Sequence, residues 1–239
     1  MPGSFKTEAI VLRSIRYGEA DRILHLYSRE RGRIGAVAKG VRRPKSRFGG
    51  RLEPLFRVAL ILHEGRGDLS TVTSAQTVHS HSTLRDSQGP LVRATQACEA
   101  VLRLFDSAEP NVPAYNLLCH QLALFDARPE TANRAQILAF RLKLLLAAGF
   151  VPELASCASC GERDHLGAFS AGAGGVVCSA CEAGSFPLDA SAHEFLVHAL
   201  ANPLTDAPRG EDRVLTQVDR AIAETLEHHA HVRLARVAA

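Results

Sequence analysis

Long hydrophobic runs are missing from this sequence of 239 residues. No apolar stretch approaches the roughly 20 residues that a helix needs to span a bilayer. The first six residues also lack the apolar segment of a secretory signal. These absences argue against a protein with membrane-spanning helices, so we expect a cytoplasmic protein with no membrane partner.

Signatures of common catalytic sites are also missing. The sequence has no glycine-rich loop ending in Gly-Lys-Ser or Gly-Lys-Thr, which argues against an ATPase. Residues 1–80 contain no tight group of Asp and Glu of the kind that two-metal nucleases use. We therefore expect a protein that acts by binding and is not an enzyme.

Cysteine is scarce, with six residues in the chain, and four of them form two Cys-x-x-Cys pairs. The paired cysteines are Cys157, Cys160, Cys178 and Cys181. Two residues between thiols let one tight turn present both sulfurs to a single ion, and this spacing is typical of a tetrahedral zinc site. The spacing predicts one structural zinc ion. The alternatives are a pair of redox dithiols or two disulfides, although nothing nearby resembles a thioredoxin βαβ unit.

Charge is distributed unevenly along the chain. Residues 1–80 hold 3 Lys and 12 Arg against 7 acidic residues, a net charge of +8, whereas residues 81–239 carry a net charge of −5. A basic segment joined to an acidic one indicates a polyanionic partner for the basic segment.

Two patterns of hydrophobic residues predict an α+β fold. Short runs rich in β-formers, separated by glycines, predict five strands at 7–12, 22–27, 33–38, 55–63 and 69–78. Five short strands in about 80 residues suit an OB-fold barrel. From about residue 83 the period becomes helical, which predicts a mostly α-helical second domain.

The positions of these patterns predict the domain boundaries. We expect an OB-fold nucleic-acid-binding domain at 1–80 and a helical domain built from 81–154 and 183–239. The four-cysteine zinc-finger module would occupy 155–182 as an insertion in the helical domain. Helices are predicted over 131–148, 191–200 and 211–232, after two earlier helical stripes.

The segment 39–51, called the basic loop below, holds six basic residues among thirteen. They are Lys39, Arg42, Arg43, Lys45, Arg47 and Arg51. The glycines and Pro44 in this segment argue against a regular helix. A loop that displays such charge would bind phosphates in a salt-sensitive and largely sequence-independent manner. These six residues are our predicted nucleic-acid contacts.

Three further side chains join this predicted set. Phe48 sits among the charges and is predicted to stack on a base, the alternative being a place in the barrel core. Arg13 and Arg16 are predicted to add phosphate contacts. Tyr17 and Tyr27 could line the binding groove or fill the barrel, and we expect them to fill the barrel.

Specific segments of the sequence resemble the RecO family of bacterial recombination-mediator proteins. They are residues 7–12 (TEAIVL), 17–21 (YGEAD), 33–43 (RIGAVAKGVRR), 44–54 and 149–154 (GFVPEL). The last of these leads directly into Cys157 and Cys160, as in zinc-bearing members of the family. The resemblance spans both ends of the chain and is more specific than the cysteine spacing.

The resemblance implies an N-terminal OB-fold, a helical domain and a zinc module. It also implies an activity: binding of single- and double-stranded DNA, annealing of complementary strands and, with RecR, loading of RecA onto DNA coated with the single-strand-binding protein SSB. A nucleoid-associated location in the cytoplasm follows. Some family members lack the cysteines, so we expect annealing not to depend on zinc.

Two other functions remain open on the sequence alone. An RNA-binding OB and zinc protein would carry the same basic loop, and the sequence shows no reader of a 2′-hydroxyl group that would decide the matter. A zinc hydrolase or nuclease would need an open metal coordination position, whereas four thiolates close the site.

Overall fold

Five strands close into a barrel in the computed structural model, which describes residues 3–65 and 67–238. The strands are β1 (Ser4–Tyr17), β2 (Asp21–Ser28), β3 (Gly32–Ala38), β4 (Arg57–His63) and β5 (Leu69–His79). Their order around the barrel is β1-β2-β3-β5-β4, with β3 and β5 parallel and the other pairs antiparallel. This five-stranded closed barrel confirms the predicted OB-like architecture.

Alternation of buried and exposed residues explains the strands that the sequence predicts best. In β3 every second residue is buried, and those of β4 alternate in the same way. The first strand is longer than predicted. A β-bulge between Val11 and Arg13 interrupts the alternation of buried and exposed residues, so the sequence pattern ends before the strand does. A bulge adds one residue to one strand and reverses the facing of those that follow.

Two helices, α1 (Gln88–Leu104) and α2 (Val112–Ala127), belong to the same compact unit as the barrel. The Tyr115 hydroxyl of α2 donates to Glu8 Oε1 of β1 at 2.8 Å. Gly32 lies against the backbone before α2, where a Cβ would stand 2.1 Å from the Glu109 carbonyl oxygen. This unit spans Met1–Glu130, so the division of the structure differs from the expected boundary after residue 80.

The start of α2 follows from its sequence. Asn111 precedes the helix, and its side-chain oxygen accepts from the Ala114 backbone N–H at 2.9 Å. Pro113 lies in the first turn, where a missing N–H costs nothing. An N-cap of this kind contributes about 1 kcal/mol to helix stability.

In the described residues of the second unit, Thr131–Ala239, there are three α-helices and a small sheet. The helices are α3 (Arg134–Ala147), α4 (Ala190–Ala201) and α5 (Asp212–Ala230). Between α3 and α4 the chain forms β6 (Leu166–Ser170), β7 (Gly175–Cys178) and β8 (Phe186–Pro187), in the order β7-β6-β8. Arg141 of α3 and Asp219 of α5 form a buried ion pair at 3.7 Å.

None of the helices in the described part of the chain combines the length and the hydropathy that a bilayer crossing requires.

Candidate nucleic-acid interface and metal centre

The basic loop is attached to the barrel by apolar side chains. Phe48 is 2% exposed, and Leu52, just after the loop, is buried beside it in the barrel core. The partly buried Val41 packs against the same core. The apolar residues of this segment therefore turn inward, and the hydrophobic effect fixes the position of the chain between them.

Two backbone N–H groups join the start of the loop to the turn between β1 and β2 and to the side chain of Asp21, the first residue of β2. The Gly40 N–H donates to Asp21 Oδ1 at 2.7 Å, and the Arg42 N–H donates to the Ala20 carbonyl at 2.9 Å. Gly40 has a φ of 66°, a conformation that glycine adopts without steric cost. The first part of the loop is thus held to one neighbouring turn.

Successive tight turns continue the loop to its end. The Ser46 N–H donates to Arg43 O at 2.9 Å, and the Arg51 N–H donates to Phe48 O at 3.2 Å. The Arg51 guanidinium also donates to the carbonyls of Arg47 and Phe48, each at 3.1 Å. These bonds satisfy backbone groups that no regular element would pair.

All six predicted basic residues of the loop are exposed: Lys39, Arg42, Arg43, Lys45, Arg47 and Arg51. Across residues 3–65 and 67–238, none of the six forms an ion pair with a carboxylate. The loop itself contains no acidic residue. Its positive charge is therefore not neutralised locally and is free to attract an anionic ligand.

The structure separates Arg13 and Arg16, which the sequence had grouped. Arg16 pairs with Arg22, whose guanidinium donates to Glu53 Oε1 at 2.9 Å just beyond the basic loop. Arg13 pairs with His25 on the other face of the strand. Alternation along a strand puts residues an odd number apart on opposite faces. Arg16 therefore lies on the same sheet face as Arg22, whose guanidinium reaches Glu53 at the end of the loop. Arg13 lies on the opposite face.

Two predictions about aromatic residues are wrong. Phe48 is buried in the core, so its ring is not available to stack on a base. Its face meets Arg47 instead, whose Cζ lies 4.8 Å from the ring centroid. Tyr17 is 55% exposed and does not fill the barrel.

The second unit brings the four predicted cysteines together. Their sulfur atoms all lie within 4.8 Å of one another, and no other group of three or more metal-ligating side chains is found among the described residues. Cys157 and Cys160 lie on one tight turn, closed by the Gly161 N–H donating to Cys157 O at 2.8 Å. Cys178 ends β7, and Cys181 follows one short helical turn later.

The geometry of this cluster fits a tetrahedral metal ion. The sulfurs of Cys160 and Cys178 are 3.7 Å apart, too far for a disulfide of about 2.05 Å. Four ligands at about 2.3 Å from a zinc ion stand roughly 3.8 Å from one another. The backbone N–H of Cys178, with those of Cys160 and Ser159, lowers the pKa of Cys157 to about 6, whereas the pKa values of Cys160 and Cys181 are raised, that of Cys181 first by the Cys160 thiol. Only Cys157 therefore favours the thiolate by itself, and the fit to a metal rests on the positions of the four sulfurs.

Comparison with known proteins decides the family. Residues 1–81 match the family description "Recombination protein O N terminal", and residues 91–236 match "Recombination protein O C terminal". The chain belongs to the RecO family. It is 37% identical over 225 residues to the DNA repair protein RecO of Rubrobacter xylanophilus, covering 91% of this chain and 90% of that protein.

Other relatives of the same name cover similar lengths. The DNA repair protein RecO of Anaeromyxobacter dehalogenans is 35% identical over 244 residues, covering 96% of this chain and 93% of its own. That of a Nocardioides species is 42% identical over 182 residues, covering 74% of each chain. The resemblance stated from the sequence motifs is thereby confirmed.

Proposed function

We propose that this RecO-family protein binds DNA through its basic loop and acts as a recombination mediator in DNA repair, at the nucleoid. It would anneal complementary single strands and, together with RecR, help RecA to load onto single-stranded DNA covered by SSB. The observation that supports this proposal is the display of six exposed basic side chains on a loop anchored by the buried Phe48, with no carboxylate partner for any of the six among the residues that the structure describes.

The electrostatics of the loop supply a physical means for annealing. Two DNA strands repel each other through their phosphates, and a cationic surface lowers that repulsion while it releases counterions. If all six side chains contact phosphates of a single strand, log Kd would change with log salt concentration with a slope of about 4 in magnitude. Such binding needs no bond-making, which supports a mediator that is not an enzyme.

The four cysteines would hold one zinc ion in a structural role. Four thiolates leave no coordination position for water or substrate, so the site is closed to catalysis. When bound, the ion joins the turn of Cys157 and Cys160 to the end of β7 and so stabilises the small sheet. The annealing step is assigned to the basic loop and not to this site.

The proposed function is tested by annealing complementary oligonucleotides that are first covered with SSB. The wild-type protein is expected to accelerate duplex formation and, with RecR, to raise RecA loading as measured by DNA-dependent ATP hydrolysis. The double variant Lys39→Glu and Arg42→Glu should lose both effects. A control with the same charge change, Arg163→Glu and Arg209→Glu, replaces two exposed arginines of the second unit.

Two results would contradict the proposal. One is failure of the wild-type protein to accelerate annealing at any salt concentration. The other is an equal loss of activity in the loop variant and in its control. A matched RNA oligonucleotide provides the third arm, since a preference for RNA over DNA of one sequence would favour an RNA-binding function instead.

A further inference from the structure

Side chains of β1 and β2 form a row on the outer face of the barrel. Beyond the bulge, Arg13, Ile15 and Tyr17 alternate with residues of the opposite face. Their partners on β2 are His25, Ile23 and Asp21. These pairs define the surface that we call the Tyr17 face, and the basic loop adjoins one end of it.

Large apolar groups on the Tyr17 face are exposed to solvent. Tyr17 is 55% exposed, Ile15 is 40% exposed and Leu69, beside Gly35 of β3, is 38% exposed. The other two tyrosines of the chain, Tyr27 and Tyr115, are buried. Tyr17 and Ile15 are neighbours on one face of β1, whereas Leu69 lies on β5 beyond β2 and β3. Neighbouring exposed apolar side chains that include a projecting aromatic ring are typical of binding surfaces.

Positive charge surrounds this apolar row. Arg13 is exposed at one end, and Arg33 of β3 lies close enough to His25 to affect its titration. Burial first, then Arg33 and Arg13, lowers the pKa of His25. Of the acidic groups near the row, the Asp21 carboxylate accepts from the Gly40 N–H, and Glu19 is exposed in the turn. A partner suited to this face presents flat apolar groups joined by anionic ones.

The Tyr17 face is continuous with the basic loop. Arg42 approaches the turn that follows Tyr17, where its N–H bonds Ala20 O at 2.9 Å and its guanidinium lies 3.5 Å from Gly18 O. Two residues along a strand span roughly 7 Å, so Arg13, Ile15 and Tyr17 present a row about 14 Å long that begins beside Arg42. A nucleic-acid strand held at Arg42 would have its next bases above this row.

We propose that Tyr17 is a base-stacking platform for single-stranded DNA, with Ile15 extending its apolar surface and Arg13 and Arg42 contacting the flanking phosphates. This inference rests on the proposed function, since it assumes that the basic loop binds the same strand. It replaces Phe48 as the aromatic contact. Single-strand binders commonly combine a cationic track with aromatic rings on which bases stack.

The chain contains no tryptophan, which makes a direct test possible. The variant Tyr17→Trp places the single tryptophan of the protein on the proposed platform, where it can be excited selectively over the two remaining tyrosines. Its fluorescence should be quenched by an oligothymidylate of 15 nucleotides, and not by an abasic strand of the same length, which offers phosphates without bases. The control Val78→Trp, at an exposed position of β5, should show no difference between the two strands.

Affinity provides a second readout. Tyr17→Ala should weaken binding of the oligothymidylate by between about 5-fold and about 150-fold, and leave binding of the abasic strand unchanged. Tyr17→Phe, which keeps the ring, should retain wild-type affinity. On the oligothymidylate, the free-energy losses of binding from Tyr17→Ala and from Lys39→Glu should add in the double variant. On the abasic strand, the double variant should bind as weakly as Lys39→Glu alone.

The outcomes separate the two proposals. If the oligothymidylate binds without quenching and Tyr17→Ala binds it as tightly as wild type, the stacking platform is wrong and DNA binding by the basic loop stands. If neither strand binds the wild-type protein, both proposals fail. If Tyr17→Ala keeps its DNA affinity but loses capture of RecR, the face belongs to a protein partner and the stacking inference is overturned.

Discussion

The backbone N–H of Arg42 donates to the carbonyl oxygen of Ala20 at 2.9 Å, which fastens the basic loop to the turn between β1 and β2. The Gly40 N–H, two residues earlier in the loop, donates to Asp21 Oδ1 at 2.7 Å and holds the loop to the start of β2. A loop fixed at its start presents its cations in a defined arrangement. Less conformational entropy is then lost when the loop meets a ligand.

Asp21→Ala should loosen the loop, because it removes the acceptor of the Gly40 N–H. Asp21→Asn is the matched control, since it makes the same change in charge and keeps a side-chain oxygen. We expect hydrogen exchange at the Gly40 and Arg42 amides to accelerate in Asp21→Ala only, with DNA affinity a few-fold below that of Asp21→Asn. Equal protection in the two variants would show that the carboxylate does not order the loop.

Phe48→Ala should destabilise the first unit, because Phe48 is one of the largest side chains that the barrel buries completely. Truncating a buried Phe costs about 3–5 kcal/mol through lost transfer free energy and the cavity left behind. Arg47→Ala, next to it and exposed, should leave the melting temperature nearly unchanged and reduce DNA affinity. Thermal unfolding followed by circular dichroism distinguishes the two; a wild-type melting temperature for Phe48→Ala would refute the burial argument.

Metal removal should act on the second unit alone. The purified protein is expected to contain about one zinc per chain. A structural zinc supplies folding free energy, so removing it should unfold the segment 155–182. A chelator, or the substitutions Cys157→Ala and Cys160→Ala, should have this effect. Cys98→Ala, at a buried cysteine outside the cluster, is the control and should keep its metal. Elemental analysis and hydrogen exchange measure both effects. A metal-free protein with full protection of this segment would contradict the assignment.

His81 should make the stability of the barrel sensitive to acid. Its side chain is 2% exposed, and its Nδ1 lies 2.7 Å from the Leu55 carbonyl oxygen. Burial lowers the pKa of His81 below its usual value near 6.5, although the hydrogen bond to Leu55 opposes the shift. The unfolded chain therefore binds this proton more readily, and stability falls as the pH drops below about 6.5 towards the folded pKa.

The variant His81→Asn isolates this effect. Asparagine tolerates the φ of 45° found at this position, and it does not titrate. We expect the melting temperature of the variant to be lower than that of wild type near pH 8 and to fall less steeply between pH 7 and pH 5. One proton accounts for at most about 1.4 kcal/mol per pH unit. Parallel curves for the two proteins would show that His81 is not the group responsible.

The sequence predicts the positions of the strands well. It predicts poorly which side chains face the barrel core and which face solvent. Strand positions follow from alternation and glycine spacing, which are local properties. The exposure of Tyr17 does not, because the bulge after Val11 reverses the facing of the residues that follow. Phe48 likewise lies in a charged segment, and only the closed barrel shows that its ring completes the core.

The assignment of α1 and α2 to the barrel unit also depends on long-range contacts. The hydrogen bond between Tyr115 and Glu8 joins residues more than a hundred positions apart, and no local sequence pattern predicts it. The cysteine cluster is the opposite case. Two short turns determine its geometry, and the spacing of the thiols alone predicts a shared site.

The most direct test of the account measures how DNA affinity depends on salt. A single-stranded oligonucleotide is titrated at several salt concentrations with the wild-type protein, with Lys39→Glu combined with Arg42→Glu, and with the control Arg163→Glu combined with Arg209→Glu. Loss of two phosphate contacts should reduce the slope of log Kd against log salt by about 1.4 in the loop variant and weaken its binding. The control should behave as wild type. Unchanged affinity and slope in the loop variant would contradict the claim that the basic loop binds DNA.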